Sequence, residues 1–259
     1  MINLQINKHQ GLFVFLVLIF SHFINPAYGK DLKASMAYLP QVLETTEKGV
    51  FSKMVKYIDD AYDGGKIIRD IYPFRRSIEN IKKGKADFHI PLIKNPLINE
   101  KNLPFRYITS KVWDIVFIIC SNRDAQISLA DINRAKKKAK FPYIIHTDRA
   151  HVNYFDFPIE GSSHVEGSLK QVATKRIDAF IFAQAECDFV IRKLKQKYKN
   201  NIHRSLYKYF QGTIVIQKGP KGDIVDNILT KSFYKMEKNG QLQKLRDIIQ
   251  GKYIEWQPY

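Results

Sequence analysis

The chain has 259 residues, with 42 lysines and arginines against 25 acids, a formal charge of +17 and 45% hydrophobic residues. No stretch beyond the opening apolar run approaches membrane-spanning length, which excludes a chain that crosses a membrane repeatedly and leaves one large domain or two lobes of ordinary size. The positive charge is scattered, at Lys82, Lys83 and Lys85, from Arg134 to Lys140 and from Lys193 to Lys199, and reads as a solvated basic surface rather than a nucleic-acid site.

Lys8 precedes the unbroken apolar run Leu12–Phe20, and a polar stretch ending in Ala27-Tyr28-Gly29 follows. Charged, apolar and small-x-small segments in that order make a secretory signal peptide. As a helix the run spans roughly 14 Å, about half the hydrocarbon thickness of a bilayer, so a cleavable signal over 1–29 is expected in preference to an anchor. Its removal takes away Lys8 and no acid.

A short strand over 32–38, stopped by Pro40, is followed by a helix over 49–62 with Val50, Phe51, Met54, Val55, Ile58 and Ala61 at helical period. Gly64-Gly65 ends it, 66–71 is a strand, and 75–83 is a helix stopped by Gly84. Residues 88–93 read as a strand buried on both faces, and an irregular stretch through Pro96 and Pro104 follows. Trp113–Cys120 is strongly β-forming and opens a second lobe. Then come a short helix over 129–134, a strand over 143–145, helices over 150–155 and 168–174, and a strand over 177–182. A basic helix over 186–198, a strand over 212–217 and helices over 224–239 and 242–250 complete the order. The final Tyr253–Trp256 is expected on the outside.

Two segments echo each other. Ser77 to Ile90 aligns without a gap against Ser168 to Ile181, each a helix end, a basic turn, one Asp (Asp87, Asp178) and an apolar strand. A unit met twice in an α/β pattern predicts two lobes built to one plan, with a cleft between. The expected division is lobe one over 31–110 plus 212–259, lobe two over 111–211, and a two-stranded hinge near 109–113 and 207–212.

With these pieces in place, the chain resembles the family 3 solute-binding proteins of bacterial ABC importers, which have the type II periplasmic-binding fold. The resemblance is carried by Tyr38-Leu39-Pro40, Gly84-Lys85-Ala86-Asp87, Leu129-Ala130-Asp131-Ile132, Arg176-Ile177-Asp178-Ala179 and Met236 to Leu242. It implies a periplasmic monomer that binds a small solute for a membrane permease, without a cofactor, a metal or nucleic acid. It also implies no catalysis. A sensory module, or a lyase similar to cyclohexadienyl dehydratase, is the alternative on the same fold. The family's Thr-x-x-Arg segment is replaced by Lys94 to Lys101, and its ammonium-binding Asp by Ala183, so a standard α-amino acid is not the expected ligand.

Ligands of α/β lobes sit beyond the carboxyl ends of strands, against helix starts. That places Tyr38, Phe74, Arg75, Lys94, Trp113, Arg149, Gln184 and Glu186 as candidate ligand-binding residues, and their arginines suggest a small polar or anionic solute. His146 and His151 flank Asp148, but at a spacing that fits no zinc pattern. Cys120 and Cys187 are either one bridge or two isolated core thiols, and the sequence leaves both open.

Overall fold

The structure, a computed structural model, describes residues 30–39, 42–249 and 251–259. The expected signal peptide and Pro40 lie outside the described residues. Among those described, no helix is long and apolar enough to cross a membrane.

The strands are β1 (Leu32–Ala37), β2 (Ile67–Tyr72), β3 (Phe88–Ile93), β4 (Arg106–Tyr107), β5 (Trp113–Asn122), β6 (Ile145–Asp148), β7 (Glu160–Ser162), β8 (Ala179–Ala183) and β9 (Ile202–Ile216). Hydrogen bonding runs in the order β2-β1-β3-β9-β5-β8-β6-β7, with β4 also on β9. That order contains one plan twice. In the first lobe β1 is parallel to β2 and β3, β3 is antiparallel to β9, and β4 closes the far side of β9. In the second, β6 is parallel to β7 and β8, β8 is antiparallel to β5, and the front of β9 closes the far side. The two sheets are continuous because β9 runs through both. Its residues Gly212–Ile216 pair with β3 while Ile202–Gly212 pair with β5.

The sequence echo proves to be a strand-setting device. The helix α2 (Phe74–Lys82) ends with Lys85 N–H donating to Asn80 O at 2.8 Å and Gly84 N–H to Ile81 O at 3.0 Å. At α4 (Val165–Ala173), Arg176 N–H donates to Gln171 O at 2.9 Å and Lys175 N–H to Val172 O at 3.1 Å. Both are Schellman closures, which need a left-handed residue, and Gly84 (φ 67°) and Lys175 (φ 55°) supply it. The Asp that follows has one task in each lobe. Asp87 takes the Lys33 N–H on Oδ2 at 2.8 Å and donates its own N–H to Lys33 O at 2.9 Å. Asp178 does the same with Ile144, at 2.7 and 2.9 Å. Each carboxylate thus fixes the register of a parallel strand pair at its entrance.

Burial explains the apolar runs. On β5, Val116, Ile118 and Cys120 face one core cluster while Phe117 and Ile119 face another, so both faces are covered. The first lobe's core joins Met36, Phe88 and Ile214 to Met54, Val55 and Ile58 of α1 (Val50–Ala61). Against this core lie Leu229 and Met236 of α7 (Pro220–Lys238) and Leu245 of α8 (Gln241–Ile249).

Several elements differ from expectation, among them the strand expected over 143–145, which lies at Ile145–Asp148, and β7, which was not expected. The helix expected over 150–155 is a 3-10 turn (Arg149–Tyr154), opened by the Asp148 carboxylate accepting the Ala150 N–H at 2.9 Å. The single basic helix divides into α5 (Gln184–Lys193) and α6 (Gln196–Lys199), because Leu194 turns into the core with extended backbone. The strand expected from Gly212 begins at Ile202; His203, Arg204 and Lys208 hid its front half. The short helix α3 (Leu129–Ala135) stands as read, with a capping box between Ser128 and Asp131.

Candidate functional site

A cavity of about 520 Å³ lies between the lobes, at the carboxyl ends of β3 and β8. Such a volume suits a small organic molecule. The first lobe contributes Leu39, Phe51, Phe74, Pro91 and Ile93, and the second contributes His151, Tyr154, Phe182, Gln184 and Glu186. Ile248, Ile249 and Ile254 close one end. The walls are mainly hydrocarbon and aromatic.

Two hydrogen bonds cross the gap beside it. The Tyr154 hydroxyl donates to Ile93 O at 2.7 Å, and Asn95 Nδ2 donates to Asn153 O at 2.9 Å. Burial pushes the Tyr154 phenol up, so it stays a donor throughout the physiological range.

The polar groups gather on the second lobe. His151 Nδ1 donates to Asp148 Oδ1 at 3.2 Å. Burial opposes ionisation of Asp148, but the bonds from His151 and the Ala150 N–H outweigh it and hold the carboxyl below its ordinary range. Glu186 is in the opposite state. Burial pushes its carboxyl up, its own backbone N–H and the nearby His151 only partly oppose this, and Asp148 adds to the rise. The two carboxyls are thus shifted in opposite directions, Asp148 down and Glu186 up, and both lie near the His151 ring.

Of the eight sequence candidates, Phe74, Gln184 and Glu186 line this cavity. Phe74 opens α2 and stands edge-on to His89 with ring centroids 5.6 Å apart. His89 is fully enclosed, and burial lowers its pKa to about 3, so it is a neutral ring. The Gln184 side chain is engaged elsewhere: Nε2 donates to Lys252 O at 3.2 Å and Oε1 accepts the Ile254 N–H at 2.9 Å. Trp113 is buried at the crossing, 5.4 Å from the Phe51 ring, against a glycine, Gly212, whose added Cβ would fall 1.7 Å from its Nε1. Lys94 is ion-paired with Glu100 and lies over the Tyr107 ring at 5.3 Å. Tyr38 is 50% exposed, and Arg75 and Arg149 are exposed. None of Tyr38, Arg75, Lys94, Trp113 and Arg149 is among the cavity's lining residues. Among the described residues, no cluster of three or more acidic, histidine or cysteine side chains could hold a metal ion.

Sequence reasoning missed Pro91, Tyr154, Phe182 and the C-terminal segment. That segment crosses from α8 to the second lobe. Arg204, 1% exposed, donates from Nη1 to Trp256 O at 2.6 Å and from Nη2 to Asp188 Oδ2 at 2.8 Å. Its Nε lies 2.7 Å from Asp188 Oδ1 but off the line a hydrogen bond needs, so that contact is an ion pair only. The Trp256 indole N–H also reaches Asp188 Oδ2, at 3.0 Å. A second pocket of about 460 Å³ lies behind the crossing, where Lys111 pairs with Asp114 and Arg246 with Glu237.

No protein-family model matches the sequence, and no curated protein matches it. Solved structures do. The ligand-binding core of GluR0 from Nostoc punctiforme, in complex with L-glutamate, superposes with a TM-score of 0.61 at 15% identity, over 85% of this chain and 100% of that one. A probable amino-acid ABC transporter extracellular-binding protein from Bacillus subtilis gives 0.63 at 12%, over 86% and 98%. The chain has the two-lobed type II periplasmic-binding fold. A histidine kinase sensor domain similar to periplasmic binding proteins aligns as well, with a TM-score of 0.61 at 14% identity over 86% and 97%. At these identities the likeness is one of fold. In the type II periplasmic-binding fold as this chain builds it, residues from both lobes meet around the cavity described above.

Proposed function

We propose that this chain is an exported solute-binding protein whose lobes close on a small molecule with an apolar body and one hydrogen-bonding group. The observation that carries the reading is the cavity of about 520 Å³ shared by both lobes, with Glu186 and His151 beside mainly apolar side chains, while Tyr154, Gln184 and Asp188 of the lining are hydrogen-bonded within the protein. The apolar body would lie against Phe74, Pro91, Ile93 and Phe182, and the polar group would meet Glu186. An anionic solute has less support than the sequence suggested, because Arg75, Arg149 and Lys94 are not in the lining and the arginine that is, Arg192, lies over the Trp256 ring. The lobes would be 31–110 with 212–259 and 111–211, with the last residues of the chain reaching across to the second lobe. Closure buries the solute between them, so affinity depends on the population of the closed state as well as on contacts.

The order of segments at residues 1–29 supports delivery to the periplasm. A membrane permease is the partner that such a binder serves. A sensory role keeps specific support, since the histidine kinase sensor domain aligns with the same TM-score, 0.61, as the GluR0 core. No reaction is proposed.

The test is a thermal-shift screen of small organic solutes on the wild-type chain and on Ala150→Trp. Ala150 lines the cavity from an exposed position, so its indole would fill the space without disturbing a core. A solute that raises the wild-type Tm and leaves the variant unmoved is the expected result. Equal shifts in both proteins, or no shift with any solute, would contradict the reading.

A further inference from the structure

Cys120 and Cys187 are the two cysteines of the chain. Cys120 lies on β5 and Cys187 on α5, and both thiols are free and buried. They share one apolar cluster with Val116, Ile118, Leu169 and Ile191, and Cys187 and Cys120 are close enough to interact directly. Glu186 and Asp188, on either side of Cys187, line the interlobe cavity. A bond between the two sulfurs would therefore fasten the helix that carries those carboxyls to the central strand behind it. The segment it encloses contains α3, β6, β7, α4 and β8, most of the second lobe.

We propose that Cys120 and Cys187 form an intramolecular disulfide when the chain folds in the presence of an oxidised thiol–disulfide exchange partner. One thiolate attacks the partner's disulfide and expels a thiol. The other then attacks the mixed disulfide and expels the second thiol. The chain loses two protons and two electrons, and the partner's disulfide is reduced to two thiols. Only thiolates attack, and burial pushes the Cys187 thiol up in the folded protein. Exchange consequently belongs to the folding chain, before α5 has docked on β5. The bridge needs no solute and is independent of the solute-binding reading.

The test is refolding of the reduced, denatured full chain in a mixture of oxidised and reduced glutathione, followed by alkylation under denaturing conditions and peptide mapping. The expected product is a folded monomer with no alkylatable thiol and a linked peptide joining Cys120 to Cys187. The Cys187→Ser variant should retain one free thiol and form no link. A second measurement compares melting with and without reductant: the wild-type Tm falls on reduction and that of Cys187→Ser does not. A folded monomer with two alkylatable thiols, stable glutathione adducts, disulfide-linked dimers, or a wild-type Tm indifferent to reductant would each overturn the proposal. None of these outcomes involves a solute, so failure here leaves the binding reading standing, and failure of the solute screen leaves the bridge standing.

Discussion

Glu186 carries a pH dependence that follows from its burial. Burial in the cavity wall lifts the folded pKa of its carboxyl above the ordinary 4.5. The folded state therefore holds a proton that the unfolded chain gives up. Stability from this group is fully present below pH 4.5 and is lost as pH rises through the higher folded value. Glu186→Gln removes that loss. Melting curves across pH should show the variant at least as stable as wild type near neutrality, with the difference vanishing in acid. A variant less stable at every pH would mean that Glu186 already has a charge partner. The chain announced this residue only by its place after an apolar strand. The aromatic Tyr154 was hidden in a segment read as a helix, because an Asx-capped 3-10 turn and a helix start share the same residues.

At the scale of elements, the repeated Asp was legible as a pattern, and the structure gives its cause. Asp87 and Asp178 each receive a backbone N–H from the neighbouring parallel strand. Asp87 is buried, whereas Asp178 is exposed to solvent that can replace its bond. Asp87→Ala should therefore cost about 1–3 kcal/mol, and Asp178→Ala no more than about 1 kcal/mol. Urea unfolding measures both, and equal costs would show that the two anchors are not distinguished by burial. The strand β9 was half legible. After Gly212 the run is continuously buried and β-forming, but Arg204 in the front half is a charge made tolerable by the distant Asp188 and the carbonyls and rings of the C-terminal segment. Pairings this long-range leave no local signal.

For the whole molecule, the duplicated plan followed from periodicity and from the echo, whereas the order of strands in the sheet did not. The cavity lining did not, because it is assembled from chain segments that meet only after both lobes have folded. Two side-chain hydrogen bonds cross the gap, from Tyr154 to Ile93 O and from Asn95 to Asn153 O. Tyr154→Phe with Asn95→Ala should weaken closure and leave each core intact. Small-angle scattering would then show a larger radius of gyration for the double variant, with an unchanged far-ultraviolet circular dichroism spectrum. An unchanged radius would mean that other contacts hold the lobes.

Capture of a solute between the lobes is tested most directly by native mass spectrometry of the freshly purified protein beside its Ala150→Trp variant. The account predicts a small organic adduct on the wild-type chain, released on denaturation and missing from the variant. Adducts of equal mass and abundance on both proteins would contradict it.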